Sequence, residues 1–224
     1  MSDKRKKLEA LSPAIYSKEE IKAFAKQHWN FTFARQKKIS VYAKRIMANV
    51  LAMIHDEQEL RPYYEMKVVD IALDEQDTSS IYKEAKKAIE ELLDQKWFIE
   101  NPTEKKFRGY HLIDTTKDHE EHYNNGTIRI ALNPLLKPFF LELSHYTTYE
   151  LKWYMTLRSW YSMRMFEALS AFKDTGIWVV SIEEYRKLMD CEKKYPDIND
   201  LLKRTLPEPL EELEKTDVAF SYSP

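Results

Sequence analysis

The segment Leu157-Arg158-Ser159-Trp160-Tyr161-Ser162-Met163-Arg164-Met165-Phe166-Glu167 carries apolar residues on more than one helical face. With its flanks, Leu151, Met155 and Met165 fall on one row and Trp153, Leu157 and Trp160 on another. A helix that buries a single stripe lies on a surface, whereas one that is apolar on two rows is sandwiched. The spacing therefore predicts a long helix capped by Thr148 in Thr147-Thr148, with Glu150 behind the cap, running to Phe172 between two domains.

Upstream, Ile39, Ala43, Ile46, Val50 and Ile54 recur at helical spacing, with Lys37, Lys38, Lys44 and Arg45 over much of the remaining surface. Met66 to Leu73 is short, apolar and partly β-branched, which suits a strand. Thr78 and Ser79 can cap a helix to about Lys96, with Ile81, Ala85, Ala88, Ile89 and Leu92 inward and Lys83, Lys86 and Lys87 outward. Trp97-Phe98-Ile99, the turn Asn101-Pro102, Phe107 to Ile113, and Thr127 to Leu132 beyond Asn124-Asn125-Gly126 read as strands joined by a hairpin. Helix, strand, helix and hairpin is the order of a winged helix, in which the last helix faces DNA and the hairpin is the wing.

Downstream, Gly176 ends the long helix, Ile177 to Val180 reads as a strand, and Ser181 with Glu184 forms a capping box for a helix through Leu188. Pro196 or Asp197 opens the next helix, in which Ile198, Leu201, Leu202, Thr205 and Leu206 face inward and Asn199, Asp200, Lys203 and Arg204 outward. Pro207 and Pro209 end or kink it, and a strand from Asp217 to Tyr222 follows. The outline is a second winged helix without its last strand. The expected fold is α+β and mainly helical, two tandem winged-helix domains joined by a long helix. Residues 1–32 form a basic arm with at most a short helix from Ser17 to Gln27, residues 33–145 the first domain, and residues 146–224 the second.

Composition supports packed cores: 43% of the chain is hydrophobic and five residues are tryptophan. Cys191 is the lone cysteine, so no internal disulfide can form, and no apolar run approaches the roughly 18 residues of a membrane span. Ser2-Asp3-Lys4-Arg5-Lys6-Lys7 offers no apolar signal core, which makes the cytoplasm the expected compartment and a membrane partner unexpected. Residues 1–48 hold twelve Lys/Arg against four Asp/Glu, so a basic N-terminal stretch precedes an acidic body within a net charge of −2. Such a stretch is either a solvated tail or a phosphate contact.

From Tyr146 onward the chain resembles the iteron-binding plasmid replication initiators. The opening segment follows that family's Leu-x-Ser-x-Tyr-Ser-x-Arg-x-Tyr/Phe-Glu pattern throughout. Ile182-Glu183-Glu184-Tyr185-Arg186-Lys187-Leu188-Met189, Lys194-Tyr195, Asp200 to Leu206 and Thr216-Asp217 correspond to its later motifs. Over the preceding residues the likeness is one of layout, through the basic first helix and Leu132-Asn133-Pro134. The resemblance implies a first domain that dimerises and touches the DNA backbone, and a second that reads double-stranded tandem repeats at a plasmid origin. It also implies host helicase and initiator proteins as partners; no cofactor is expected. By position it makes Lys203 and Arg204 the major-groove candidates. The chain departs from the family at Leu202, where Arg or Lys is usual, at Pro207 and Pro209, and in the single strand where a final hairpin belongs.

Lys203 or Arg204 can donate to guanine O6 and N7, and Asn199 suits adenine. Equally, Arg204 can pair with Asp200 one turn earlier on a solvated face. Arg164 is a candidate phosphate contact or a partner of Glu167. Lys83, Lys86 and Lys87 are candidates on the first domain, with Glu84, Glu90 and Glu91 as competing partners. Lys193 and Lys194, just ahead of the last helix, complete the DNA-binding set.

Enzymatic chemistry finds little support. His119-Glu120-Glu121-His122 spaces its histidines by three, unlike a zinc protease, and reads as a polar loop holding no metal. Gly109, Gly126 and Gly176 are the only glycines, which excludes a dinucleotide or phosphate-cradling loop. No His-x-His accompanies the fourteen tyrosines, and Cys191 has no histidine near it in sequence, so neither DNA nicking nor thiol catalysis is expected. A transcriptional repressor of the same fold, and a protein-interaction module that has lost DNA binding, are the alternatives to an initiator.

Overall fold

The computed structural model describes residues 23–54, 57–72, 78–101, 106–117, 122–141 and 145–223. In chain order the elements are β1 (Phe24–His28), α1 (Trp29–Thr32), β2 (Arg35–Gln36), α2 (Val41–Ile54), β3 (Tyr64–Lys67), α3 (Thr78–Asp94), β4 (Lys96–Asn101) and β5 (Lys106–His111). They continue with β6 (Tyr123–Asn124), β7 (Thr127–Ile130), α4 (Lys137–Phe140), β8 (Tyr146–Glu150), α5 (Leu151–Tyr154), α6 (Trp160–Ser170), α7 (Ile182–Leu188), α8 (Ile198–Thr205) and α9 (Pro207–Leu213).

The first winged helix is built around α2, which is buried from Tyr42 to Ile54 beneath α3, β1 and α5. Lys44 and Arg45, expected on its surface, are 5% and 2% exposed. On α3 the residues Ile81, Ala85, Ala88, Ile89 and Leu92 are all buried, as their spacing predicts. The hairpin β4–β5 follows and extends β2 into a sheet of order β2-β4-β5. The Met66–Leu73 strand is shorter than expected and shifted: its ladder ends at Lys67, whose N–H donates to Asp70 at 3.1 Å as the chain enters a 3-10 turn. It pairs with β7, in a separate sheet β3-β7-β6 closed by Asn125-Gly126. Their φ angles, 45° and 81°, are the positive values that a two-residue hairpin turn requires.

The expected helix from Thr148 to Phe172 does not form as one element. Tyr146–Glu150 is strand β8, antiparallel to β1 with Phe24 opposite Glu150 and His28 opposite Tyr146. Tyr-Thr-Thr-Tyr alternates in burial, with Thr147 and Tyr149 inward, a period of two that suits a strand. Thr147 Oγ1 accepts from Thr32 at 2.9 Å and so ties the sheet to α1, while Thr148, the expected cap, lies mid-strand opposite Lys26. The same pairing removes residues 24–32 from the arm: Phe24–Gln27 is strand where a helix end was expected, while 17–22 lie outside the described residues. Only α6, 11 residues long, keeps the helical register of the opening segment, and it is buried at every position from Trp160 to Ala168.

In the second module neither Ile177–Val180 nor Asp217–Tyr222 is a strand. Among the described residues both lack a ladder partner, and β-prone residues without one give only extended backbone. Asp217 instead turns back to an ion pair with Lys173 at 2.5 Å.

Glu167 on α6 accepts from Lys44 of α2 at 2.5 Å, from Arg164 at 2.6 Å and from the Tyr154 hydroxyl at 2.7 Å. All four residues are buried. Burial pushes the Glu167 carboxyl up, but Lys44 and Arg164 outweigh it and hold the group below its ordinary range. Burial lowers Lys44 to about 8, with Glu167 restoring part of the loss, so Lys44 keeps its charge at neutral pH. A depressed carboxyl pKa contributes stability that is complete above the unfolded value and lost as the pH falls through the folded one. Urea unfolding at pH 7 should show Glu167→Gln destabilised by about 3–5 kcal/mol, the cost of stranding buried cations. As the pH falls below about 4.5, the ordinary carboxyl value, the wild type should lose stability more steeply than the variant, and parallel curves would contradict the assignment.

Candidate nucleic-acid interface

Helix α7 starts at the predicted capping box: Ser181 Oγ accepts from the Glu184 N–H at 3.2 Å, and the Glu184 carboxylate accepts from the Ser181 N–H at 3.2 Å. Helix α8 starts at Asp197, which accepts from the Asp200 N–H at 3.0 Å. The two are joined inside the module by the hydroxyls of Tyr185 and Thr205, 2.8 Å apart and buried. Burial pushes the Tyr185 phenol up to about 12, so it stays a neutral hydrogen-bonding group. With Leu201 and Thr205 inward, α8 turns Asn199 and Lys203 to solvent one helical turn apart. Pro207 ends α8 as expected, and then starts α9, a separate helix that was not expected.

The predicted residues fall into three groups. Asn199, Lys203, Lys193 and Lys194 are exposed on α8 and the loop before it, and Lys83, Lys86 and Lys87 are exposed on α3. Lys83, Lys86, Lys87 and Lys203 form no salt bridge within 4.0 Å among the described residues. Arg204 is exposed but lies 3.4 Å from Asp200, the i,i+4 pair that its spacing allows, and Lys194 lies 3.5 Å from Asp190. Arg164 leaves the set: at 0% exposure it faces Glu167 and the carbonyls of Ala34 and Leu188, where no phosphate can reach it. His119, Glu120 and Glu121 lie outside the described residues.

Two positioning residues escaped the sequence reading. Arg186 donates to the carbonyls of Lys194 at 2.7 Å, Pro196 at 3.1 Å and Cys191 at 3.4 Å, and so shapes the loop that carries Lys193 and Lys194. In that loop Asp190 and Tyr195 take positive φ angles of 51° and 53°, uncommon for residues other than glycine. Arg45 donates from one guanidinium to the carbonyls of Ile71, Ala72, Met155 and Leu157, tying α2 to the chain ahead of α6. Their only sequence signal was a basic residue on a helix, which also describes a solvated one.

Two helix-based modules in tandem, with exposed lysines on α3 and α8, have the layout of a paired winged-helix protein. The family description "Initiator Replication protein, WH1" matches residues 25–170, and "Initiator Rep protein, WH2" matches residues 181–224. The chain belongs to this family of replication initiators. In fold it is similar to the structure described as "Crystal structure of Pi initiator protein in complex with iteron DNA", at TM-score 0.70 and 18% identity over 87% of each chain. A comparison with curated proteins returns no match. Among the described residues no helix is long and apolar enough to cross a membrane.

Replacing Arg186 by Ala should raise hydrogen exchange at the Cys191 and Lys194 amides at least tenfold while α6 amides keep their protection. Unchanged loop protection would show that the loop holds its shape without the guanidinium.

Proposed function

We propose that this initiator binds tandem repeats in double-stranded plasmid origin DNA, with α8 in the major groove and α3 against the phosphates. The observation that carries the reading is the outward pair Asn199 and Lys203 on a capped helix held against α7, with Arg204 beside it. Side chains at that spacing on one exposed helix face can reach base edges, Lys or Arg to guanine and Asn to adenine. The similarity to the Pi initiator, described with iteron DNA, supports the choice of repeats as the target. Dimerisation through the first domain, recruitment of the host helicase and initiator proteins, action without a cofactor or catalytic site, and a cytoplasmic location belong to the same proposal. So does the division of labour between a first domain on the backbone and a second on the bases. Arg164 has no direct part in it.

A protein-interaction module is the second reading, favoured by one feature. A groove of about 920 Å³ opens among α6, α7, α8 and the extended C-terminal stretch. Ile177, Val179, Ile182, Ile198 and Tyr222 line it while 37–87% exposed, an unusual concentration of apolar surface.

Fluorescence anisotropy with a duplex of repeats from the chain's own replicon, against a scrambled duplex, separates the readings. Preference for the repeats with a log-log salt slope of several units is expected for phosphate contact with base readout. Equal binding to both duplexes, or none, would favour the interaction module. Lys203→Ala should cost about 1–3 kcal/mol on the repeats and relax the preference. The triple change Lys83→Ala, Lys86→Ala and Lys87→Ala should weaken both duplexes alike and reduce the salt slope by about 0.9 for each phosphate that is no longer neutralised. A triple variant with the wild-type slope would remove α3 from the interface.

A further inference from the structure

We propose that Arg164 is a positioning residue that sets the spacing between the two DNA-facing helices, so that the chain reads its site as two segments at one fixed separation. The inference rests on the DNA-binding reading above. The covalent connection between the two family segments, residues 171–180, contains turns and extended backbone but no helix or strand. It has Gly176 at φ +68° and is mostly exposed, so the relative angle of the modules must come from non-covalent contacts.

Those contacts converge on α6. On the second-module side, α9 packs along it, with Glu212 accepting from the Arg158 N–H at 2.9 Å. On the first-module side, Lys44 reaches Glu167. Tyr161 touches both sides, through Cys191 Sγ and the Lys38 ammonium, but Arg164 is the buried α6 cation that donates to backbone carbonyls of both. Its Nη2 donates to the Ala34 carbonyl at 3.1 Å, and its Nε donates to the Leu188 carbonyl at 3.4 Å. Nη1 is held by Glu167 at 2.6 Å, so the plane of the fork cannot turn. Ala34 leads directly into β2, which pairs with β4, the strand following α3. Leu188 ends α7, whose Tyr185 is bonded to Thr205 of α8. One rigid guanidinium therefore stands two links from each DNA-facing helix. Closer to the surface Arg35 pairs with Glu192 at 3.1 Å and the Lys38 N–H donates to Asp190 at 3.3 Å, extending the same seam. A lysine at position 164 could keep the charge beside Glu167 but has no fork to hold two carbonyls in fixed directions.

The test begins with a hydroxyl-radical footprint of the wild type on a single repeat, which locates the two contacted segments. Affinity is then measured on duplexes with zero, one and two base pairs inserted between them, each insertion adding about 3.4 Å and a tenth of a turn. The wild type should lose at least tenfold for one inserted pair. Arg164→Lys should bind the uninserted duplex more weakly yet lose less than threefold on insertion. Glu192→Lys, at the exposed edge of the seam, should fall between the two and serves if Arg164→Lys does not fold. A purely structural role would weaken binding by one factor at every spacing, and that result, or an unchanged steep profile, overturns the proposal. Spin labels at Lys86→Cys and Lys215→Cys provide a readout without DNA: their distance distribution should broaden in Arg164→Lys, and an unbroadened one counts against it. Absence of any preference for the uninserted repeat over scrambled DNA would instead locate the failure in the DNA-binding reading itself.

Discussion

Glu167 holds three donors in the buried interior, and the arrangement of both modules depends on that carboxylate keeping its charge. Isolated, any of these ions would cost several kcal/mol to bury, and their mutual attraction repays this only when geometry is good and the remaining donors are satisfied. Both conditions are met here. Lys44 and Arg164 supply the opposing charge and the Tyr154 hydroxyl donates to the same oxygen as Lys44. Nε and Nη2 of Arg164 reach backbone carbonyls. Tyr149 stacks on Tyr154 nearby, and burial keeps both phenols well above their ordinary range, so no second negative charge competes for the cations.

A cluster of this kind specifies geometry more than it adds stability. An apolar replacement could fill the same volume, but it would allow many angles between α2, α6 and α7, whereas hydrogen bonds to named carbonyls allow one. Around the cluster, aromatic packing continues the same seam: Trp29 against Phe172 at 5.1 Å and Phe172 stacked on Trp178 at 6.2 Å. The two modules meet through oriented polar contacts at the centre and rings at the edge.

The modules themselves are unequal. In the first, β2 acquires two strands and the hairpin is complete. In the second, Ile177–Val180 occupies a comparable place, ahead of the helix pair, but remains without a ladder among the described residues, leaving Ile177 and Val179 70% and 87% exposed. Alternate residues Trp178 and Val180 pack against the core, so the segment is apolar on both faces, the pattern of a strand covered from both sides.

Local rules sufficed wherever an element is stabilised by its own residues. The capping box at Ser181, the apolar row of α3, the Asn125-Gly126 turn and the break at Pro207 were legible because hydrogen bonds or φ preferences within a few residues determine them. The exposed candidates on α3 and α8 were legible for the same reason, since a helix with one buried row must turn the others outward. Tertiary structure alone decided whether Tyr146–Glu150 would be helix or strand, because β1, more than a hundred residues earlier, supplies the ladder. It also decided that Arg164, Arg45 and Lys44 are internal. A cation on a helix carries no mark of where its counter-charge lies, and only the folded chain brings Glu167 and the waiting carbonyls within reach.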